Sequence, residues 1–245
     1  MQLERPVLSI YLMADRDTVR LARAAVDGGA DALEIGIPFS DPLADGPTVQ
    51  RAAQRSLAGG MTVRRAIEVV RAVREQVAVP LVPMTYAGPV LAYGEGQFCA
   101  DAAAGGADGL IVPDVPVDEA DSLLAGCRGH GLDLIPLLAP TSPDERIELA
   151  CRTAGGFVYL VSVAGTTGAR STLGPQVAEL IPRVRRHTDL PLLVGFGIST
   201  PEHAAAALAA GADGVIVGSR AIETAEAGGA DALREFVASL AAAMG

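Results

Sequence analysis

The stretch GGADALEIG, residues 28–36, recurs in related form as GGADGLIVPD at 105–114 and as AGADGVIVGS at 210–219. Each copy joins the end of an Ala-rich helical segment to an apolar strand through glycine. A glycine just past a helix terminus readily takes the left-handed conformation that ends the helix. The repeat therefore predicts a chain in which helices and parallel strands alternate.

The alternation extends from one end of the chain to the other. Strands are predicted at 7–13, 32–37, 79–84, 108–112, 132–138, 157–162, 190–195 and 213–217. Helices are predicted at 17–28, 62–77, 95–105, 117–129, 143–153, 174–187, 200–210 and 230–243. Strands that are each followed by a helix indicate an α/β fold in which residues 1–245 form a single (β/α)8 barrel domain. A doubly wound open sheet is the alternative, and the strand count favours closure.

Composition excludes several classes of protein. The formal net charge of −10 and the absence of a basic cluster argue against binding to nucleic acid or to anionic lipid. No apolar run approaches ~18 residues and the first segment does not resemble a signal peptide, so we expect a cytoplasmic protein that does not span a membrane. The cysteines, Cys99, Cys127 and Cys151, lack metal-ligand spacing and are expected to be reduced thiols.

Two glycine-rich turns predict a phosphate site. GFGIS at 195–199 follows the seventh predicted strand, and VGSRA at 217–221 follows the eighth and opens a short helix. Barrels of this class commonly bind phosphate between these two loops, through bare N–H groups and a helix N-terminus. The alternative is that the glycines only make tight turns. The residues expected to contact the phosphate are Gly195, Gly197, Gly218 and Ser219.

The loop VAGTTGARST, residues 163–172, follows the sixth predicted strand. Its small residues predict a lid over the site, in which Gly168 permits unusual dihedral angles and Thr167 can form hydrogen bonds inward. An ordinary surface loop explains the composition equally well.

Glu34 is the best catalytic candidate, because it interrupts the apolar strand 32–37. Strand alternation directs its neighbours Leu33 and Ile35 outward, so Glu34 faces the barrel interior or its rim. An apolar environment raises the pKa of a carboxyl group, which suits a residue that gives and takes a proton near neutral pH. The alternative is a structural Glu paired with a basic residue inside the barrel. Asp45, in the loop that follows, is expected to face the same cavity.

Other polar residues at strand ends are weaker candidates. Asp41 is expected to order its loop through side-chain bonds to the backbone. Asp114, Tyr86 and Tyr159 end strands, where each could contact a substrate or serve only the structure. The histidines are scattered at helix ends, and no metal site or His-based catalytic triad is predicted.

Six blocks of the sequence together resemble the tryptophan synthase alpha subunit family. They are LEIGIPFSDPLADGPTVQ, PLVPMTYAGPVLAYG, DGLIVPDVP, FVYLVSVAGTTGAR, LLVGFGISTPEH and GVIVGSRAI, and they follow the family's order over nearly the whole chain. The resemblance implies a (β/α)8 barrel that cleaves indole-3-glycerol phosphate to indole and glyceraldehyde 3-phosphate. It also implies a beta subunit as partner, which carries pyridoxal phosphate, whereas no cofactor is expected in this chain.

The resemblance assigns roles to individual residues. The catalytic Glu of the family falls on Glu34, which would act as acid and then as base. The catalytic Asp falls on Asp45, which would stabilise positive charge on the indole nitrogen. The remaining family positions, which are expected to bind substrate, fall on Tyr86, Asp114, Tyr159, Thr167, Gly168, Gly195, Gly197, Gly218 and Ser219.

The sequence departs from the family at positions that concern the partner more than the chemistry. We expect no counterpart of the family's leading helix, ADRD at 14–17 replaces the usual AGDP, and TYAGPV lacks the Asn usual before Pro89. A stand-alone lyase that releases free indole is therefore the main alternative. A catalytically silent activator of a partner is a further one, against which the presence of both acids argues. Another phosphate-binding barrel would not need the block around Glu34, and a Schiff-base aldolase would need a strand lysine.

Overall fold

The computed structural model describes residues 1, 3–161 and 175–245, in which parallel strands alternate with helices. The strands are β1 (Val7–Met13), β2 (Ala32–Gly36), β3 (Leu81–Met84), β4 (Gly109–Leu110), β5 (Asp133–Leu134), β6 (Leu137–Leu138), β7 (Val158–Val161), β8 (Leu192–Gly195) and β9 (Gly214–Val217). The helices are α1 (Thr18–Asp27), α2 (Pro47–Ala58), α3 (Val63–Arg74), α4 (Ala87–Tyr93), α5 (Glu95–Ala104), α6 (Asp121–Gly129), α7 (Asp144–Thr153), α8 (Pro175–Arg185), α9 (Pro201–Ala209) and α10 (Ser219–Met244), with a 3-10 turn at Val117–Glu119.

The strands close into a ring. Seven of them form one sheet in the order β3-β2-β1-β9-β8-β7-β6, and β4 pairs with β5. A parallel bridge from Met84 to Ile111 connects β3 to the end of β4. On the other side, β5 and β6 are two halves of the predicted strand 132–138, separated by Ile135 and Pro136. Proline has no N–H group for the ladder, which explains the break.

The two faces of each strand belong to different apolar cores. On β1, Leu8, Ile10 and Leu12 pack outward against the helices. Val7 and Tyr11 belong to a second cluster, which fills the barrel interior together with side chains from the other strands. The same alternation places Glu34 of β2 in the interior. The catalytic candidate therefore stands where strand periodicity predicts it.

The helices are more numerous than the sequence pattern predicts, while most of the predicted ones are a few residues shorter than expected. Helices α2 and α4 were not predicted, because Gly and Pro at their starts suggest loops, yet proline is well tolerated in the first turn of a helix. Helix α10 contains both segments predicted here, the short helix that VGSRA opens and the helix at 230–243, and it is interrupted between them at Gly229, where φ is 69°. None of the helices in the described ranges is long and apolar enough to cross a bilayer.

The three cysteines lie on helices α5, α6 and α7, as expected, and all three are buried free thiols. The Sγ atoms of Cys99 and Cys127 are 4.0 Å apart.

Candidate active site

A cavity of about 370 Å³ opens at the carboxyl ends of the strands. Strand β2 and the loop after it contribute the two acids, and the loops after β8 and β9 contribute the glycine-rich turns. Active sites of barrels with this topology lie at this end. The wall residues that concern the chemistry are Tyr11, Glu34, Asp45, Tyr159, Phe196, Gly197, Gly218 and Ser219.

Glu34 is buried in the cavity wall. It lies opposite Tyr11 in the ladder with β1 and opposite Val82 in the ladder with β3. The residue is only 1% exposed to solvent. Burial raises the pKa of Glu34 from 4.5 to about 8, while an interaction with the Ser9 hydroxyl opposes this rise. No cation among the described residues offsets the burial. Glu34 therefore carries its proton at neutral pH.

Asp45 is held on its loop by neighbours on both sides. The side-chain amide of Gln50 donates a 2.8 Å hydrogen bond to the Asp45 carbonyl. The backbone N–H of Ala44 donates to the Tyr86 hydroxyl at 3.1 Å. Burial raises the pKa of Asp45, and a hydrogen bond from Tyr86 to its carboxylate acts in the opposite direction. The loop thus presents Asp45 to the same cavity as Glu34.

The part of the cavity formed by the loops after β8 and β9 has the backbone geometry of an anion site. Phe196 and Gly197, after β8, both have positive φ, of 67° and 83°. A non-glycine residue in this region is strained by roughly 1–2 kcal/mol, and such strain concentrates at functional sites. Gly218 and Ser219 begin α10, so their N–H groups lie at the positive end of a helix dipole. These groups can bind a phosphate without a basic side chain.

Two tyrosine rings lie deep in the cavity, each over a glycine of the next strand. A Cβ atom on Gly195 would lie 2.2 Å from the Tyr159 hydroxyl oxygen, and one on Gly36 would lie 1.9 Å from that of Tyr11. Burial raises the pKa of both phenols well above the usual value, so both stay neutral. Gly195 therefore makes room for Tyr159. Tyr11 was not singled out from the sequence, although its alternation on β1 places it on the inward face.

Two of the predicted substrate-binding residues lie behind the cavity wall. Asp114 lines a neighbouring cavity of about 620 Å³, and its carboxylate accepts a 2.8 Å hydrogen bond from the N–H of Ala87, the first residue of α4. Tyr86 precedes that helix and is only 3% exposed. Both residues support the loops around the site. Thr167 and Gly168 lie outside the described residues.

The other polar candidates are not gathered at the cavity. Asp41 is exposed and accepts a hydrogen bond from the Ser40 hydroxyl. His203 lies on α9, with Nδ1 at 3.2 Å from the Ser199 hydroxyl oxygen. In the part of the chain that the structure describes, no group of three or more His, Cys, Asp or Glu side chains could hold a metal ion.

The fold and the cavity together indicate an enzyme of the (β/α)8-barrel class, whose cavity combines two carboxyl groups with glycine-rich turns. The model of the family "Tryptophan synthase alpha chain" matches residues 9–244. The chain therefore belongs to the tryptophan synthase alpha chain family, whose members are lyases that cleave indole-3-glycerol phosphate in tryptophan biosynthesis.

Individual relatives agree with the family match. The tryptophan synthase alpha chain of Gluconacetobacter diazotrophicus is 49% identical, over 98% of this chain and 91% of that protein. The Picosynechococcus protein of the same name is 46% identical, over 92% of this chain and 88% of that protein. Among solved structures, the tryptophan synthase α2β2 complex of Pyrococcus furiosus contains a chain with a TM-score of 0.91 and 38% identity, covering 98% of this chain and 99% of that one. A chain of a Mycobacterium tuberculosis tryptophan synthase structure has a TM-score of 0.90 and 40% sequence identity, and the match covers 98% of this chain and 93% of that one.

Proposed function

We propose that this chain cleaves indole-3-glycerol phosphate by a retro-aldol reaction in which Glu34 is the acid and the base. The observation that carries the proposal is that the buried carboxyl group of Glu34, whose pKa burial raises to about 8, shares a cavity with Asp45 and with the glycine-rich turns after β8 and β9. An ordinary Glu would be ionised at neutral pH and could not begin as an acid.

The proton of Glu34 is transferred to C3 of the indole ring, which leaves positive charge delocalised onto the ring nitrogen. The Glu34 carboxylate then takes the proton of the hydroxyl on the adjacent glycerol carbon. The bond between this carbon and C3 breaks, its electrons return to the ring, and the carbon becomes the aldehyde of glyceraldehyde 3-phosphate. Glu34 ends protonated, so one carboxyl group completes the cycle.

Asp45 stabilises the charge that exists only during this reaction. A carboxylate beside the ring nitrogen lowers the energy of the protonated intermediate and has no such partner in the neutral substrate. Such differential stabilisation raises the rate of the chemical step. The loop contacts to Gln50 and Tyr86 hold Asp45 in place for this role.

The remaining predicted residues bind or position the substrate. The N–H groups of Gly197, Gly218 and Ser219 bind the phosphate, and Gly168 and Thr167 belong to the same proposed set. The ring of Tyr159 packs against the indole, in the space that Gly195 provides. Tyr86 and Asp114 keep the loops of the site in place through Ala44 and Ala87.

The partner that fits this chain is a tryptophan synthase beta subunit, which would carry pyridoxal phosphate. Support comes from the Pyrococcus furiosus structure, whose title names an α2β2 complex with mutual activation. Leu43 and Leu91 are the exposed large hydrophobic residues of the described ranges, at 84% and 64%, and a partner would cover them. The family model's match over 9–244 supports one domain, and the charged phosphorylated substrate supports a cytoplasmic location.

Indole release from indole-3-glycerol phosphate, measured with and without a beta subunit, tests the proposal. We expect release by the chain alone, stimulation by the beta subunit and a stable mixed complex. High release without stimulation would instead assign a stand-alone lyase. No release in either case would refute the proposed function.

A further inference from the structure

Ser9 and Glu34 share an unusual position inside the barrel. Only three buried side-chain nitrogen or oxygen atoms of the described residues lack a hydrogen-bond partner, and two of them are Ser9 Oγ and Glu34 Oε1. Ser9 lies opposite Ala32 in the ladder between β1 and β2, one inward-facing position before the pair formed by Tyr11 and Glu34. The two unpartnered atoms are therefore diagonal neighbours on the same inner face.

The strands around Ser9 offer no other reason for a hydroxyl group. Its ladder partner on β9 is Ile216, and its partner on β2 is Ala32. Ser9 is 1% exposed, and a buried hydroxyl without a partner costs about 1–3 kcal/mol. Glu34 is the polar side chain diagonal to Ser9 on the inner face of this ladder.

We propose that Ser9 is a positioning residue, whose hydroxyl accepts a hydrogen bond from Glu34 in its acid form and donates one to Glu34 in its base form. A hydroxyl rotates and can do both, whereas a backbone N–H only donates and an alkyl side chain does neither. The carboxyl thus keeps one orientation while it gives a proton to the indole and takes one from the glycerol chain. The role rests on the proposed function.

Other titratable groups also surround Glu34. Tyr11 on β1 and Tyr159 on β7 face Glu34 and remain neutral because burial raises the pKa of each. Asp45 faces the same cavity from its loop. The Ser9 hydroxyl acts to lower the pKa of Glu34 against the effect of burial. Removal of the hydroxyl therefore raises this pKa further.

The matched variants Ser9→Thr and Ser9→Val test the role, because Thr and Val have nearly the same shape and differ in the hydroxyl group. The first readout is the carboxyl absorption of Glu34 in infrared difference spectra of the ligand-free protein, assigned with Glu34→Gln. We expect Ser9→Val to raise the pKa of Glu34 by roughly one pH unit. Ser9→Thr should stay near the wild-type value.

The second readout is the pH dependence of indole release. In Ser9→Val the alkaline limb of kcat/KM should move to higher pH by the same shift, and kcat should fall about 10-fold, with recovery in Ser9→Thr. A purely structural Ser9 would lower stability or kcat without moving the limb.

Equal pKa values of Glu34 in folded Ser9→Val and Ser9→Thr would overturn the role of Ser9. Circular dichroism verifies the fold, and Ser9→Ala replaces the Val variant if that variant does not fold. The infrared titration needs no substrate, so it remains decisive even if Glu34→Gln retains activity. Activity retained by Glu34→Gln would refute the proposed function, but it would not refute the pairing of Ser9 with Glu34.

Discussion

Tyr86 holds the loop that carries Asp45. Its hydroxyl oxygen accepts a 3.1 Å hydrogen bond from the N–H of Ala44, and it also interacts with the Asp45 carboxylate. Asp45 has no place in a strand or helix, so these bonds fix a side chain that loop motion would otherwise displace. A displacement of about 1 Å can cost about 100-fold in rate.

Tyr86→Phe should lower kcat/KM for indole release by between about 10-fold and 100-fold, because Ala44 and Asp45 lose their common partner. Tyr93→Phe is the matched control, since the Tyr93 hydroxyl bonds to Asp101 at 2.6 Å on the surface between α4 and α5. Tyr93→Phe should leave activity unchanged. Steady-state kinetics measure kcat/KM for both variants. Equal losses of kcat/KM in the two variants would contradict a special role of Tyr86.

Asp45→Asn should lower kcat by about 100-fold, since the amide has the same shape but no charge to oppose the positive ring nitrogen. KM should change little, because the charge arises only during the reaction. Asp41→Asn, four residues earlier on the same loop, is the control and should leave kcat of the isolated chain within about twofold of wild type. A large effect at Asp41 with none at Asp45 would reverse the assignment.

Gly195→Ala should destabilise the protein by about 1–3 kcal/mol and reduce activity, because the new methyl group overlaps the ring of Tyr159. The control is Gly96→Ala in α5, where an added Cβ has no atom within 4 Å. This variant should gain a few tenths of a kcal/mol to about 1 kcal/mol from helix propensity. Urea unfolding measures both, and a neutral Gly195→Ala would show that the ring of Tyr159 moves freely.

Glu34→Gln should change how stability depends on pH. The pKa of Glu34 is raised by folding from 4.5 to about 8, so the stability contribution of its proton is complete below pH 4.5 and is lost as the pH rises through 8. Relative to Glu34→Gln, the wild type should lose up to about 5 kcal/mol over this range and no more above it. Urea unfolding of both proteins at several pH values measures the difference. Parallel curves would mean that Glu34 is not buried as an acid.

Periodicity was sufficient to find the barrel and the place of Glu34. Alternation along β2 sends Glu34 inward whatever the neighbouring strands are, and the Gly turns mark the ends of strands. Asp45 could be placed near the cavity because its loop follows the carboxyl end of the same strand. These inferences need only local rules of backbone geometry.

The supporting contacts depended on the register between strands, which periodicity does not give. Ser9 becomes significant only because β1 and β2 pair so that it precedes Tyr11 opposite Glu34. Tyr86 looked like a substrate contact because it follows a strand, whereas its hydroxyl is used by the loop of Asp45. Helix α2 was missed because Gly46 and Pro47 suggest a turn and also suit a helix start.

Single-turnover release of indole by Glu34→Gln is the most direct test of the proposed chemistry. The amide keeps the size of the side chain but can neither give nor take the proton. We expect the rate to fall by between about 100-fold and 10,000-fold relative to wild type. The circular dichroism spectrum and the affinity for the phosphate-containing substrate should not change. Release within 10-fold of the wild-type rate would show that Glu34 is not the acid and base of this enzyme.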